Sequence, residues 1–284
     1  MSKNNPGKRF RPVLTAGFAV LLAISILLSG CTGFPKIFQN PRYLYEDGGV
    51  LVNGADLPIV LKNNSQAANV SYKQLLDFIR NDVTDLLPYI ERGNTEELTP
   101  FVCSDFALMV HDNAEAAGIR AGYVSINWVS GEIGHAINAF ETTDYGVVFI
   151  DCTGKSVYSQ VEEEDESQVT VGSWDKVAYL ENGRKYGVIG LAYARSPEYL
   201  FYEQYVAKWQ ELREKLAVYN SEVKKYNQEI RSTVFVEGSL ALKRIREWDK
   251  SLEEQKNIIL ELSLEVGFSR FRSPGIVDNY TIHW

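Results

Sequence analysis

Between residues 202 and 266 the apolar and aromatic side chains fall at steps of three and four. Tyr202, Tyr205, Trp209, Leu212, Leu216, Tyr219, Val223, Tyr226 and Ile230 form one run. Ala241, Ile245, Trp248, Leu252, Gln255, Ile259, Leu262 and Val266 form a second, with one polar member at Gln255. A seam that repeats every 3.5 residues is buried by an α-helix lying against another helix, so this stretch is committed to long helices. The break at 232–239 is short. The pattern permits a bundle of several chains, but the short link favours an antiparallel coiled-coil helical hairpin within one chain, over 196–267. At such regular spacing the tyrosines read as packing rather than as a ligand platform.

The rest of the chain alternates helical and β patterns. Tyr72, Leu75, Leu76 and Ile79 share one helical face, with Ser71 as the expected N-cap. Thr99 and Pro100 predict the start of a second helix ending at Gly118, on which Cys103, Ala107, Val110, Ala114 and Ala117 line the apolar face. Short β-rich runs follow, with Asn182 and Gly183 marking a hairpin turn. The acidic run 161–166 reads as a solvated loop. Residues 31–69, rich in Gly, Asn and Pro, read as a tether leading into a first strand. The tail 268–284 reads as a last strand returning to the sheet, with Ile276, Tyr280 and Ile282 on one face. The expected class is α+β, with its globular part at 70–195.

Residues 1–30 carry Lys3, Lys8, Arg9 and Arg11, no acid, and an apolar run over 13–28. That is the pattern of a signal peptide. Leu28, Ser29, Gly30 and Cys31 resemble the lipobox of bacterial and archaeal lipoproteins, which implies lipidation of Cys31 and an extracytoplasmic chain anchored to the membrane. The alternative is an uncleaved transmembrane anchor, for which the run is near the short limit. The whole chain has a net charge of −8; without the four basic leader residues it is −12, which argues against nucleic acid as a partner. With Cys31 lipidated, only Cys103 and Cys152 remain, too few for a disulfide scaffold. They could bridge each other, or one could be a working thiol.

The run GHAINAFETTDYGVVFIDCTG, residues 134–154, reads as a β-hairpin turning at 142–146. Symmetry about Thr143 would set His135 directly opposite Asp151, on one face. A shift of two residues in the register would keep them on that face but offset; a shift of one would bring Cys152 to the histidine instead. A histidine oriented by a carboxylate suits general-base work on a thiol. Cys103, in the first turn of its helix, would have its pKa lowered by the helix dipole. Taken singly, a buried cysteine, a lone histidine and a strand-end aspartate are ordinary packing; their joint order is the signal.

CSDFALMVHDNAEAAGIRAGYV, then GHAINAF, then FIDCTG, resembles the core of the transglutaminase-like superfamily, over about 71–154. The resemblance implies a papain-like core with Cys103 as nucleophile, His135 as base and Asp151 as orienting acid, with residues 118–121 matching the helix-to-strand turn. Ile137 stands where the family often has Trp, and Cys152 where it often has Pro. The side-chain oxyanion donor has no motif; Asn63, Asn64 and Gln66 qualify by chemistry alone. The implied activity is acyl transfer through a cysteine thioester, hydrolysing or transamidating a peptide or protein substrate without a cofactor. The alternative is a catalytically inactive scaffold that binds an envelope partner through its helical hairpin. His111 reads as a surface group or a support to the site, and His283 has no evident partner. Three histidines without paired spacing argue against a metal site.

Overall fold

A computed structural model describes residues 42–46, 48–93, 98–155, 173–267, 270–271 and 273–284. The expected signal peptide, the lipobox with Cys31 and the acidic run 161–166 lie outside the described residues.

In chain order, short strands β1 (Arg42–Tyr43), β2 (Tyr45–Glu46), β3 (Gly49–Val50) and β4 (Val60–Leu61) precede helix α1 (Tyr72–Asn81) and a 3-10 turn, Thr84–Leu86. Helix α2 (Cys103–Ala116) is followed by β5 (Gly122–Trp128), β6 (His135–Thr142), β7 (Gly146–Asp151), β8 (Lys176–Tyr179) and β9 (Gly187–Gly190). The long helices α3 (Tyr199–Ser232) and α4 (Leu240–Val266) come next, then β10 (Val277–His283). The main sheet has the order β10-β5-β6-β7-β8-β9, every neighbouring pair antiparallel. Helices segregated from an antiparallel sheet make this an α+β chain, and the tail does return to the sheet, beside β5.

Alternation along the strands divides the core in two. The odd-numbered Ile137 and Ala139 of β6 join Val124, Ile126, Trp128, Ala178 and Tyr186 on one face. The even-numbered Phe140 joins Val148, Ile150 and Val177 on the other, under α1, α2 and the start of α3. α1 begins at the expected N-cap, Ser71, which forms a capping box with Gln74: Gln74 N–H donates to Ser71 Oγ (3.3 Å) and Ser71 N–H to Gln74 Oε1 (3.0 Å). Its Leu75 and Ile79 are fully buried.

Two readings of the sequence need correction. Residues 42–69 are not a tether: Leu44, Ile59 and Leu61 are fully buried against Ala107, Tyr123 and Ala136, and Cys103 packs on that cluster. Apolar residues too scattered to show a period are gathered by the β1–β4 and β2–β3 pairings. Helix α2 also starts three residues after Pro100. Ile90 and Phe101 exchange backbone hydrogen bonds of 2.9 Å, so the chain around Pro100 is held extended until Val102.

α3 and α4 lie alongside each other in opposite directions. Tyr205 Oη donates to Val266 O (2.8 Å), Lys208 pairs with Glu265, and Tyr226 Oη donates to Asp249 Oδ1 (3.1 Å). The polar seam residue Gln255 is answered by Glu222, whose Oε2 accepts from Nε2 at 2.7 Å. Leu212, Ile245, Leu252 and Ile259 are buried along the seam. Tyr202 anchors the start of α3, stacking on Tyr179 of the sheet at 5.3 Å between centroids. Gly187 is what admits it, since a Cβ there would lie 2.6 Å from the Tyr202 ring.

Candidate active site

Cys103 is the first residue of α2, following the extended Val102. The Asp105 carboxylate accepts from the Val102 N–H (3.0 Å) and from the Gly54 N–H (2.8 Å), which ties the β3–β4 connection to the helix start. A Cβ at Gly54 would lie 2.6 Å from Pro100 O, so the approach depends on glycine. The side chain of Cys103 is partly exposed and makes no disulfide. Burial pushes its thiol upward, but the His135 imidazole, by hydrogen bonding and by charge, and the Ala136 N–H outweigh it and hold the pKa below the ordinary value. The positive end of α2 acts in the same direction.

His135 opens β6, so its ring hangs at the end of the strand nearest the start of α2. The strand pair does not have the register drawn from symmetry about Thr143. Thr142 pairs with Gly146, Phe140 with Val148 and Asn138 with Ile150, so Asp151 is offset by two residues from the position opposite His135. The shift is even, and the two side chains stay on one face. The turn is responsible. Gly146 takes a positive φ of 67°, Thr142 Oγ1 accepts from the Tyr145 N–H (3.1 Å) and donates to Gly146 O (2.9 Å), and Asp144 Oδ1 accepts from the Tyr72 N–H at the start of α1 (2.8 Å). A diagonal pair on one face remains within reach of long side chains, and His135 Nε2 meets Asp151 Oδ2 at 3.1 Å. With Nε2 engaged by the carboxylate, Nδ1 is the nitrogen left for the thiol.

Asp151 is the most heavily supported group in the site. Its Oδ2 also accepts from Tyr186 Oη at 2.7 Å, its Oδ1 accepts from the Thr153 N–H at 2.9 Å, and Lys176 Nζ lies 3.6 Å from Oδ1. Burial opposes its ionisation, yet Lys176, His135 and the Thr153 amide together hold the carboxyl well below the usual carboxylate range. Burial would likewise lower the imidazole of His135; the Asp151 charge and hydrogen bond, with the thiol, raise it to about 10. The ring is framed by Trp128, stacked at 6.4 Å, and by Tyr186, edge-on at 5.7 Å. A thiol of lowered pKa beside an imidazole of raised pKa favours the thiolate–imidazolium pair, an arrangement suited to nucleophilic chemistry.

Tyr186, Lys176 and Trp128 escaped the sequence reading. A lysine opening the otherwise apolar run of β8 was the one available signal, since a buried charge there calls for a partner. Cys152 faces away from the histidine, buried in the opposite core, where burial and then Asp175 push its thiol well above the ordinary value. Cys103 and Cys152 are both free, so the bridge between them is absent.

The expected oxyanion candidates lie elsewhere. The Asn64 N–H donates to Glu115 Oε2 (2.7 Å), Asn64 Nδ2 donates to Glu115 O (3.0 Å), and the Gln66 N–H caps Asn64 Oδ1 (2.9 Å). Asn63 precedes them. Glu115 is near the far end of α2, about 18 Å along the axis from Cys103. Asn64 thus holds that end of the helix. His111 is fully buried rather than at the surface, with Nδ1 3.1 Å from Asp112 Oδ1. His283 lies in β10 with its ring 6.3 Å from that of Tyr123. Among the described residues no group of His, Cys, Asp and Glu could hold a metal ion, and no helix is long and apolar enough to cross a membrane. No protein-family model, curated protein or solved structure matches the chain.

Proposed function

We propose that the chain is a thiol acyl-transfer enzyme that opens a peptide or other amide bond through a thioester on Cys103. The observation that carries the reading is the chain of contact from the lowered thiol of Cys103, through His135, to Asp151 at 3.1 Å. The Cys103 thiolate attacks the amide carbonyl carbon, and the carbonyl electron pair moves onto oxygen. As the C–N bond breaks, His135 gives its Nδ1 proton to the departing amine. Neutral His135 then takes a proton from water, whose oxygen attacks the thioester, and the acid leaves as the thiol is restored. Asp151 holds the ring in one orientation and stabilises the imidazolium throughout. An amine in place of water would give transamidation; hydrolysis is the first choice because water is always available as acceptor.

The resemblance of 103–151 to transglutaminase-like cores supports the same roles and a papain-like arrangement of helix on sheet. With Cys31 lipidated, as the lipobox-like leader suggests, the site would work outside the cytoplasm at a membrane. The test is alkylation of Cys103 by iodoacetamide across pH in wild type and His135→Ala. The expected result is a wild-type thiolate titrating below about 8.5 and a shift upward in the variant; a thiol at the ordinary pKa, indifferent to the substitution, would sink the proposal.

A second reading has its own observation. α3 alone is about 50 Å long at 34 residues, and Val234, Val236 and Leu240 are exposed around its link to α4. A coiled-coil hairpin with an apolar end suits a binding module, and a protein whose thiol proves inert would be read in that way.

A further inference from the structure

Acyl transfer passes through a tetrahedral intermediate whose oxygen carries negative charge, and the step is accelerated by donors already aimed at that point. One donor is set by the fold. Cys103 is the first residue of α2, so its N–H has no acceptor within the helix. The contact of Asn64 with Glu115 keeps residues 63–66 at the other end of α2, so the second donor has to come from another segment.

Residues 85–90 supply it. The Ile90–Phe101 bridge sets Tyr89 across from Val102, one residue from the thiol. The Tyr89 N–H donates to Lys155 O at 2.9 Å, fastening the segment to the chain that leaves β7 after Asp151. Gly154 lets the two come together, since a Cβ there would lie 2.3 Å from Leu87 O. The Tyr89 ring stacks on Phe106, one turn along α2 from Cys103, at 6.2 Å and nearly parallel. The ring therefore runs along the first turn of α2, which brings its hydroxyl beside the backbone of Cys103. Tyr123 and Tyr186 also come near the thiol, but both are buried, whereas Tyr89 is partly exposed.

We propose that the Tyr89 hydroxyl and the Cys103 backbone N–H together form the oxyanion hole of this site. The inference rests on the acyl-transfer reading above. When the thiolate lone pair forms the S–C bond, the carbonyl π pair moves to oxygen and receives both hydrogen bonds; when the intermediate collapses, the pair returns and the leaving group departs. Tyr89 keeps its proton throughout. Burial first, then the charge of Cys103, pushes its pKa up to about 12, so it remains a donor wherever the thiolate exists.

The experiment compares two reactions of the same thiol in the full chain: acylation by p-nitrophenyl acetate, read as p-nitrophenolate released in the burst, and alkylation by iodoacetamide. Alkylation displaces iodide from a CH2 carbon and builds no oxyanion. A Cys103→Ala chain supplies the background for each. The expected result for Tyr89→Phe, which keeps the ring stacked on Phe106, is acylation slowed about 100-fold with alkylation unchanged. Unchanged acylation, or an equal loss in both reactions, would overturn the role of Tyr89. A wild-type thiol no more reactive in either reaction than that of His135→Ala would instead overturn the acyl-transfer reading.

Discussion

Asp151 reaches His135 on a diagonal. The β6–β7 ladder pairs Asn138 with Ile150, two residues out of step with a directly opposed pair, and the carboxylate still meets Nε2 at 3.1 Å. The contact therefore depends on parity and side-chain reach rather than on direct opposition.

The charge of Asp151 is what raises the imidazole, and Asp151→Asn keeps the shape while removing the charge. The His135 pKa, measured by NMR titration, is expected to fall from about 10 toward about 6.5. The thiolate–imidazolium pair exists between the two pKa values, so the alkaline limit of acyl transfer moves down with that of His135. At pH 8, about 1.5 pH units above the variant's value, the rate of the proposed acyl transfer on an amide substrate should drop about 30-fold. A titration that stays near 10 in the variant would show that Asp151 does not control the ring.

Asp175 makes a prediction about stability. Burial, then the nearby Asp85 carboxylate, raises its pKa to about 6. The unfolded chain releases that proton near pH 3.9, the folded one only near 6, so the folded state holds an extra proton between these values. Stability falls as pH rises through the window and stays lower above it. Asp175→Asn should therefore stabilise the protein by up to about 2 kcal/mol at pH 8 and do little at pH 4, as read from thermal unfolding at both pH values.

Gly54→Ala should cost about 1–3 kcal/mol in urea unfolding, because the added methyl meets Pro100 O at 2.6 Å and Asp105 Oδ2 at 2.7 Å. The same displacement reaches the first turn of α2, so slower alkylation of Cys103 should accompany the lost stability.

Leu212 is fully buried where α3 joins the main core. Leu212→Ala is expected to destabilise by about 2–5 kcal/mol while leaving the alkylation rate of the folded protein unchanged. A fall in that rate under native conditions would mean that the long helices help to position the thiol.

What the sequence disclosed, and what it hid, follows from the range of each signal. The capping box at Ser71 is local and was legible as a cap. The seam of α3 and α4 repeats often enough to be read from spacing alone. Alternation in β6 and β7 fixes which face a residue takes but not its phase along the strand, so His135 and Asp151 were expected together while their register was not. The phase came from Asp144 and Thr142, whose partners are a helix start and a turn. Leu44, Ile59 and Leu61 sit in pieces too short to show a period, which made a packed segment read as a tether. Tyr186 reaches Asp151 from the segment before β9, and Tyr89 packs on Phe106 of α2, neither within a motif that marks it.

The hydrogen bond from the Tyr72 N–H to Asp144 joins two elements separated by 72 positions. One of the otherwise unsatisfied donors at the start of α1 is met only when the β6–β7 hairpin has closed. In hydrogen-exchange terms, α1 and this hairpin should open as a single cooperative unit. A transient fraying of the turn, far from the thiol, would release the first turn of α1 in the same event.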